Sequence, residues 1–374
     1  MRRRSVLAGP LACLLAITLA GCPASPDSRS GDVAVGSGDS PAATADARRI
    51  IILTNGDDPF WDACEAGAMA AAKDFDTAGK GLSVVFERGN FSVERQVEML
   101  RGYRLAGDVA GVGVSVVDGE SKAIADELAA LQDAGIDVVT IDGDVDRDLY
   151  GGVRKAYLGT ENKTAGRELG KAAAALQPGG GRAATFVGIK SAANAVARVS
   201  GFVEGSAPAI KHTETMADGS DPAKARDYVR NALQRDPELD TLVGIWAYNA
   251  PAIVDVVDDL GVGDRTYVYS VDAAELTIRA MEAGKVDAMV VQNPFNMGRL
   301  GVQLLLALAT GDESAVAEMY PNLGQPGGDV KSTGLKVVVP EGSPLTAETF
   351  DPKTEFLRLP EFLAWLDKYG LKSS

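Results

Sequence analysis

The sequence predicts an α/β fold of two lobes, each built on a doubly wound parallel sheet. From Arg48 onward short β-branched runs alternate with longer Ala-rich segments, the rhythm of βα units joined by short loops. Roughly 330 residues follow the N-terminal segments described below, a length that suits two lobes better than one. Of three cysteines, Cys13 and Cys22 fall in those segments, which leaves Cys64 alone. An unpaired thiol staples nothing, so a packed core has to hold the fold.

The elements follow in order. Ile50 to Leu53, Ser83 to Glu87, Val109 to Val116 and Val138 to Ile141 are apolar on both faces and read as buried parallel strands. Trp61 to Phe75, Val93 to Leu105 and Lys122 to Ala134 carry helix formers at helical spacing, and Gly135 stops the last of them. After Tyr157 the rhythm resumes, with strands near Ala183 to Val187, Thr241 to Trp246, Tyr267 to Val271 and Ala288 to Val291. Helices Lys163 to Leu176, Ala195 to Ala207, Pro222 to Leu233 and Pro251 to Leu260 fall between them, and no repeat of 20 to 50 residues is evident. A last strand, Leu335 to Val339, precedes a tail, 341–374, whose Phe356, Leu357, Phe362, Leu363, Trp365 and Leu366 suit a short helix packed on one lobe.

Ahead of this stands an export signal. Arg2 to Arg4 precede an apolar stretch from Ser5 to Ala20, shorter than the roughly 20 residues of a membrane span. Leu19, Ala20, Gly21, Cys22 resembles the bacterial lipobox, which implies that 1–21 is removed and Cys22 carries lipid. Residues 22–47 are Gly, Ser, Asp, Pro and Ala with almost nothing bulky, the composition of a flexible linker. Losing the three arginines takes the formal charge from −15 to −18. Phosphate binding needs clustered Lys and Arg, so nucleic acid is set aside as a partner.

In doubly wound sheets ligands bind at the carboxyl ends of strands. After the first strand come Asp57, Asp58, Pro59, Phe60 and Trp61; later strand ends are followed by Asp142, Asn249, Asp272 and Gln292. Acids beside aromatics suit a sugar, whose hydroxyls donate to carboxylates while its C–H faces pack on rings. Taken singly, each residue has a plainer role. Asn249 and Asp272 stand where helix N-caps fall, Asp142 where a turn starts, Phe60 and Trp61 where core residues would fit, and Arg198 where a surface helix charge would.

Here the sequence resembles the ribose-type periplasmic sugar-binding proteins, the substrate receptors of ABC importers. Asp58, Pro59, Phe60, Trp61 followed by Glu65, Ala66, Gly67, Ala68 is similar to that family's opening, and Val138 to Asp142 to its fourth strand. Arg198 with Ser200, Gly201 and Phe202 resembles its second-lobe arginine helix, and Asn249, Asp272 and Gln292 match its amide and acid contacts. The resemblance covers roughly Arg48 to Val339 and implies a type I binding-protein fold with a multi-crossing hinge. Lobes of 48–158 with 294–330 and 159–293 with 331–340 would meet at crossings near Leu158 to Thr160, Gln292 to Pro294 and Gly328 to Thr333.

The same resemblance implies that Phe60 and Trp61 sandwich the sugar ring, that Asp142 and Asp272 each take paired hydroxyls, and that Asp58 adds an acceptor. Arg198, Asn249 and Gln292 would donate. The chain departs from the pattern at Gly143, where an arginine usually follows the aspartate, at Val271, where an aromatic is usual, and at Ser115, where asparagine is common. The implied protein is a monomeric, lipid-anchored receptor on the periplasmic or cell-surface side, without catalysis or cofactor, passing sugar to an ABC permease. A sugar-sensing subunit signalling to a receptor kinase is the alternative.

Other motifs fail on their own terms. Asp142, Asp144, Asp146 and Asp148 alternate like a calcium loop, but Arg147 and Val153 occupy the places that need Gly and Glu, so a solvated turn is expected. Gly188 to Ser191 lacks the glycine that precedes a phosphate-loop lysine. The single histidine, His212, has no partner for a metal and is expected to be exposed.

Overall fold

Runs that are apolar at every position need cover on both faces, and in the computed structural model, which describes residues 47–374, they receive it. The signal 1–21, Cys22 and all but the last residue of the linker lie outside the described residues. The strands are β1 (Arg48–Leu53), β2 (Leu82–Glu87), β3 (Val109–Val114), β4 (Asp137–Ile141), β5 (Ala156–Gly159), β6 (Gly181–Val187), β7 (Ile210–Ala217), β8 (Thr241–Gly244), β9 (Tyr267–Val271), β10 (Ala288–Val291), β11 (Val330–Ser332), β12 (Leu335–Val339) and β13 (Thr354–Arg358). Six of them form one sheet, in the order β11-β5-β4-β3-β1-β2, and seven the other, in the order β13-β12-β10-β9-β8-β6-β7. The β2-β1-β3-β4-β5 order of the first recurs as β7-β6-β8-β9-β10 in the second, so the lobes share a winding that their sequences conceal.

The chain leaves the first sheet after Gly159, returns after Val291 and crosses again after Ser332. This fixes the directions of the late strands. β11 runs out toward the crossing and is parallel to β5; β12 enters the second sheet from the crossing and therefore runs antiparallel to β10. All other pairings are parallel. The chain thus passes between the sheets three times, between β5 and α5, between β10 and α10, and at Thr333 and Gly334 between β11 and β12.

Helices cover both faces of each sheet. In the first lobe, α1 (Phe60–Asp74) packs beside a returning helix, while α2 (Val93–Ala106), α3 (Lys122–Asp133) and the one-turn α4 (Arg147–Tyr150) belong to the opposite side. Alternation along β1 serves the two layers, with Ile50 and Ile52 facing one core and Ile51 and Leu53 the other. In the second lobe, α5 (Asn162–Leu176) and α6 (Ala193–Ser206) cover one face; α7 (Pro222–Arg235), α8 (Asn249–Leu260) and α9 (Glu275–Glu282) cover the other. The returning helix is α10 (Pro294–Thr310), apolar nearly throughout because it lies between α1 and the first sheet, and α11 (Glu313–Met319) follows it.

Four readings of the sequence are revised. Phe356 and Leu357 lie in β13, beside β12, because the chain there is drawn into the sheet edge; only the later part of the tail forms α12 (Leu359–Lys368). His212 sits on β7, half-buried between Thr185 and Thr215, and burial lowers its pKa. Asp144 of the alternating acids is an anchor, bidentate with Arg154 at 2.7 and 2.9 Å; Arg154 in turn reaches Asp329 at 2.5 Å and ties β4 to the approach of β11. The expected helix at Pro251 begins two residues earlier, at Asn249.

Phe362 is completely buried in the second-lobe core with Val254 and Val338. Phe362→Ala should cost about 3 to 5 kcal/mol of stability in chemical denaturation. A loss below about 1 kcal/mol would show that the tail adds nothing to the core.

Candidate functional site

The shared winding places two aspartates in equivalent positions. Asp142 follows β4 and donates its N–H to Leu158 of β5 at 2.9 Å; Asp272 follows β9 and donates its N–H to Val290 of β10 at 2.9 Å. Both take left-handed backbone, φ 62° and 69°, which aspartate tolerates better than most residues.

Gly143 explains its own identity. A Cβ there would stand 2.5 Å from the Val116 carbonyl and 2.9 Å from Ser115 Oγ, so no side chain, arginine included, fits without moving backbone. Ser115 is buried behind this turn, its Oγ accepting the Gly143 N–H at 3.2 Å, and so supports the Asp142 loop.

Arg198, 2% exposed, lies on α6 where that helix crosses α5 at glycines: a Cβ on Gly166 would stand 1.9 Å from the Arg198 carbonyl, and one on Gly201 2.0 Å from that of Lys163. The close crossing lets Arg198 donate from Nε to Asn162 Oδ1 at 2.8 Å and from one terminal nitrogen to the Ile245 carbonyl at 3.0 Å. That nitrogen is also 3.7 Å from Asp272. Gln292 Nε2 donates to the other Asp272 oxygen at 2.8 Å, and Gln292 Oε1 accepts from Thr160 at 2.6 Å.

The electrostatics follow from burial. Asp142 keeps part of its surface open, yet among the described residues nothing donates to its carboxylate. Desolvation pushes its pKa up to about 6, opposed by Arg198 and reinforced by the Asp272 charge. Burial raises Asp272 too, opposed by Arg198 and the Gln292 amide, with Asp58 adding repulsion. The Asp142 carboxylate thus feels Arg198 and Asp272 of the second lobe, and Asp272 feels Asp58 of the first.

The remaining expected residues sit at the margins of this group. Asp58 is exposed and its carboxylate accepts the Phe60 N–H at 2.9 Å. Phe60 and Trp61 meet edge to face, with centroids 5.0 Å apart and planes at 87°. A sugar sandwiched between two rings needs about 7 Å, twice the carbon contact distance. The pair therefore cannot stack both faces of one sugar; Trp61 is core and Phe60 is the partly open ring. Asn249 is wholly buried, its Oδ1 accepting the Trp246 N–H at 3.0 Å and its Nδ2 donating to Asp218 at 3.0 Å.

Known proteins share the family and the fold. The family model described as a periplasmic binding protein domain matches residues 50–313. The chain belongs to the periplasmic binding protein family. It is similar to the D-allose-binding periplasmic protein of Escherichia coli (strain K12), 25% identical over 282 residues, which cover 71% of this chain and 86% of that protein. Among solved structures, GanP, a glucose-galactose binding protein from Geobacillus stearothermophilus, is 25% identical, with a TM-score of 0.65 over 80% of this chain and 99% of GanP. An ABC transporter solute-binding protein from Burkholderia graminis, solved in complex with D-arabinose, shares the fold at 24% identity, TM-score 0.66, over 83% of this chain and 99% of that one.

In this periplasmic binding protein, residues missed from the sequence are Thr160, Asn162, Asp218 and Tyr248. Thr160 and Asp218 directly follow β5 and β7, strands absent from the sequence reading; applying the strand-end rule there would have found both. Tyr248 donates to Asp218, which thereby receives both Tyr248 and Asn249. No group of three or more His, Cys, Asp or Glu is placed to hold a metal ion among the described residues.

The raised pKa of Asp142 carries a stability signature. The folded chain holds this proton more tightly than the unfolded chain, so the cost of the anion is complete above about pH 6 and fades as pH falls toward the ordinary aspartate value. Without ligand, Asp142→Asn should raise the melting temperature by a few degrees at pH 8, with the difference gone near pH 4, in thermal melts across pH. An equal effect at both pH values would show that Asp142 is not held against its charge.

Proposed function

We propose that this binding protein captures a sugar or similar polyol between its lobes for uptake by an ABC permease. One observation supports this most: the Asp142 carboxylate of the first lobe feels the charges of Arg198 and Asp272 of the second, and Asp272 is held in turn by Gln292 and Arg198. Carboxylates accept from hydroxyls, and the guanidinium and amide donate to them, so a polyhydroxylated ligand satisfies both kinds of partner. The D-allose and D-arabinose in the relatives' descriptions are consistent with that class.

In this reading 48–158 with 294–330 moves against 159–293 with 331–340, and 341–374 rides on the second body. Closure brings the two sets of polar groups onto the ligand, and a hydroxyl left without a partner costs about 1 to 3 kcal/mol, enough to discriminate epimers. Phe60 covers one face of the ring; Asp58 accepts at the rim. Ser115 and Asn249 hold the loops that carry Asp142 and Trp246, and Trp61 backs Phe60. No proton transfer or cofactor is required, so the protein binds without catalysis. Export through 1–21 and a lipid on Cys22 would tether a monomer outside the cytoplasm. No described helix is long and apolar enough to cross a membrane.

The test is a thermal-shift and calorimetric panel of D-allose, D-arabinose, D-galactose and D-ribose. A binding sugar at 100 times its Kd adds about 2.7 kcal/mol of stability. Asp142→Ala should then weaken that sugar at least tenfold, and affinity should fall as pH drops through about 6, where the carboxylate becomes protonated and ceases to accept. No shift with any sugar or polyol, or an affinity indifferent to Asp142, would overturn the assignment.

A further inference from the structure

The bonds that orient the site's charges lead back to one short segment. Thr160 lies on the first crossing, between β5 and α5, Asn162 is the first residue of α5, and Gln292 lies on the second crossing, between β10 and α10. Thr160 Oγ1 donates to Gln292 Oε1 at 2.6 Å, and both side chains are buried. Asp272 only accepts, so it takes the amine end of Gln292, at 2.8 Å; the oxygen end is left for Thr160, whose hydroxyl is the donor it needs. On the other side Asn162 Oδ1 accepts from Arg198 Nε at 2.8 Å while its amide nitrogen reaches the Thr160 carbonyl at 3.4 Å.

We infer that Thr160 and Asn162 are positioning residues: from the first crossing they set the directions of Asp272, through Gln292, and of Arg198, and so couple the ligand-binding charges to the hinge. The inference rests on the proposed sugar-binding function. The physical reason is that the Thr160 to Gln292 bond joins two crossings. Both residues stand at the edge of the second body, one beside each crossing, so a change of backbone angle at either crossing reaches Asp272 through this bond. Without the hydroxyl, Gln292 Oε1 is left buried and unpaired, and the amide turns to find another donor. Without Asn162, the Arg198 guanidinium keeps its backbone anchor on Ile245 but loses the acceptor that fixes its plane.

The experiment compares Thr160→Val, Thr160→Ser and Asn162→Ala with the wild type by calorimetry and thermal melts, using D-allose, D-arabinose, D-galactose and D-ribose as probes. Valine keeps the shape of threonine and loses the donor; serine loses a methyl and keeps it. The expected result is binding about tenfold weaker in Thr160→Val, recovery to within about threefold in Thr160→Ser, and weakening of several-fold in Asn162→Ala. A purely structural role predicts the opposite order, with valine tolerated and serine impaired. Wild-type affinity in Thr160→Val, or Thr160→Ser as weak as Thr160→Val, overturns the inference while leaving sugar binding intact. Should Thr160→Val fail to fold, unchanged affinity in Asn162→Ala overturns it. If no probe binds even the wild type, this inference falls together with the proposed function.

Discussion

Two carboxylates and one guanidinium, desolvated together at the meeting of two lobes, set the constraint around which the site is built. Taking such charges out of water is costly unless partners are fixed in advance; Arg198 has Asn162 and the Ile245 carbonyl, but of the two carboxylates only Asp272 is provided for, by Gln292 and more loosely by Arg198. Asp142 has no donor among the described residues and accepts the penalty as a raised pKa. A fold keeps such an arrangement only where its topology brings the groups together repeatedly, and the winding does so. The fourth strand of each sheet ends in an aspartate in left-handed backbone, bonded through its N–H to the fifth strand.

The supports of this arrangement are glycines and buried polar side chains. Gly143 is required because the Asp142 turn lies against Val116, and Gly166 and Gly201 because α5 and α6 must cross closely for Arg198 to reach Asn162 and Ile245. Ser115 and Asn249 hold loops from behind. The tail adds a further strut. Phe295, at the start of α10 just past the second crossing, meets Trp365 and Tyr369 of the C-terminal helix and turn, at centroid distances of 6.2 and 4.2 Å. Ser374 exchanges backbone bonds with Ala273, the neighbour of Asp272.

Much of this was legible in the sequence, and the gaps have physical causes. Strands buried on both faces announced themselves as continuous apolar runs, so β1, β3, β9 and β12 were plain. Strand β7, Ile-Lys-His-Thr-Glu-Thr-Met-Ala, lies at a sheet edge and is mostly polar; β11 has three residues, and β5 is short, with small residues at both ends. Missing β5 and β7 meant missing Thr160 and Asp218, since strand ends were the guide to the site. The ring sandwich failed for another reason: adjacent helical residues point apart, so Phe60 and Trp61 could share a core edge but could not face each other across a ligand. The aspartates and the glutamine each follow a strand that the sequence shows and the arginine lies on a helix that it shows, which is why the sequence singles them out.

The central claim is that one ligand touches both lobes at once. A crystal structure of the chain with whichever of D-allose, D-arabinose, D-galactose or D-ribose binds it would test this. The account predicts sugar hydroxyls within hydrogen-bond distance of Asp142 on one side and of Asp272 and Arg198 on the other. A sugar seated elsewhere, or held by one lobe alone, would contradict it.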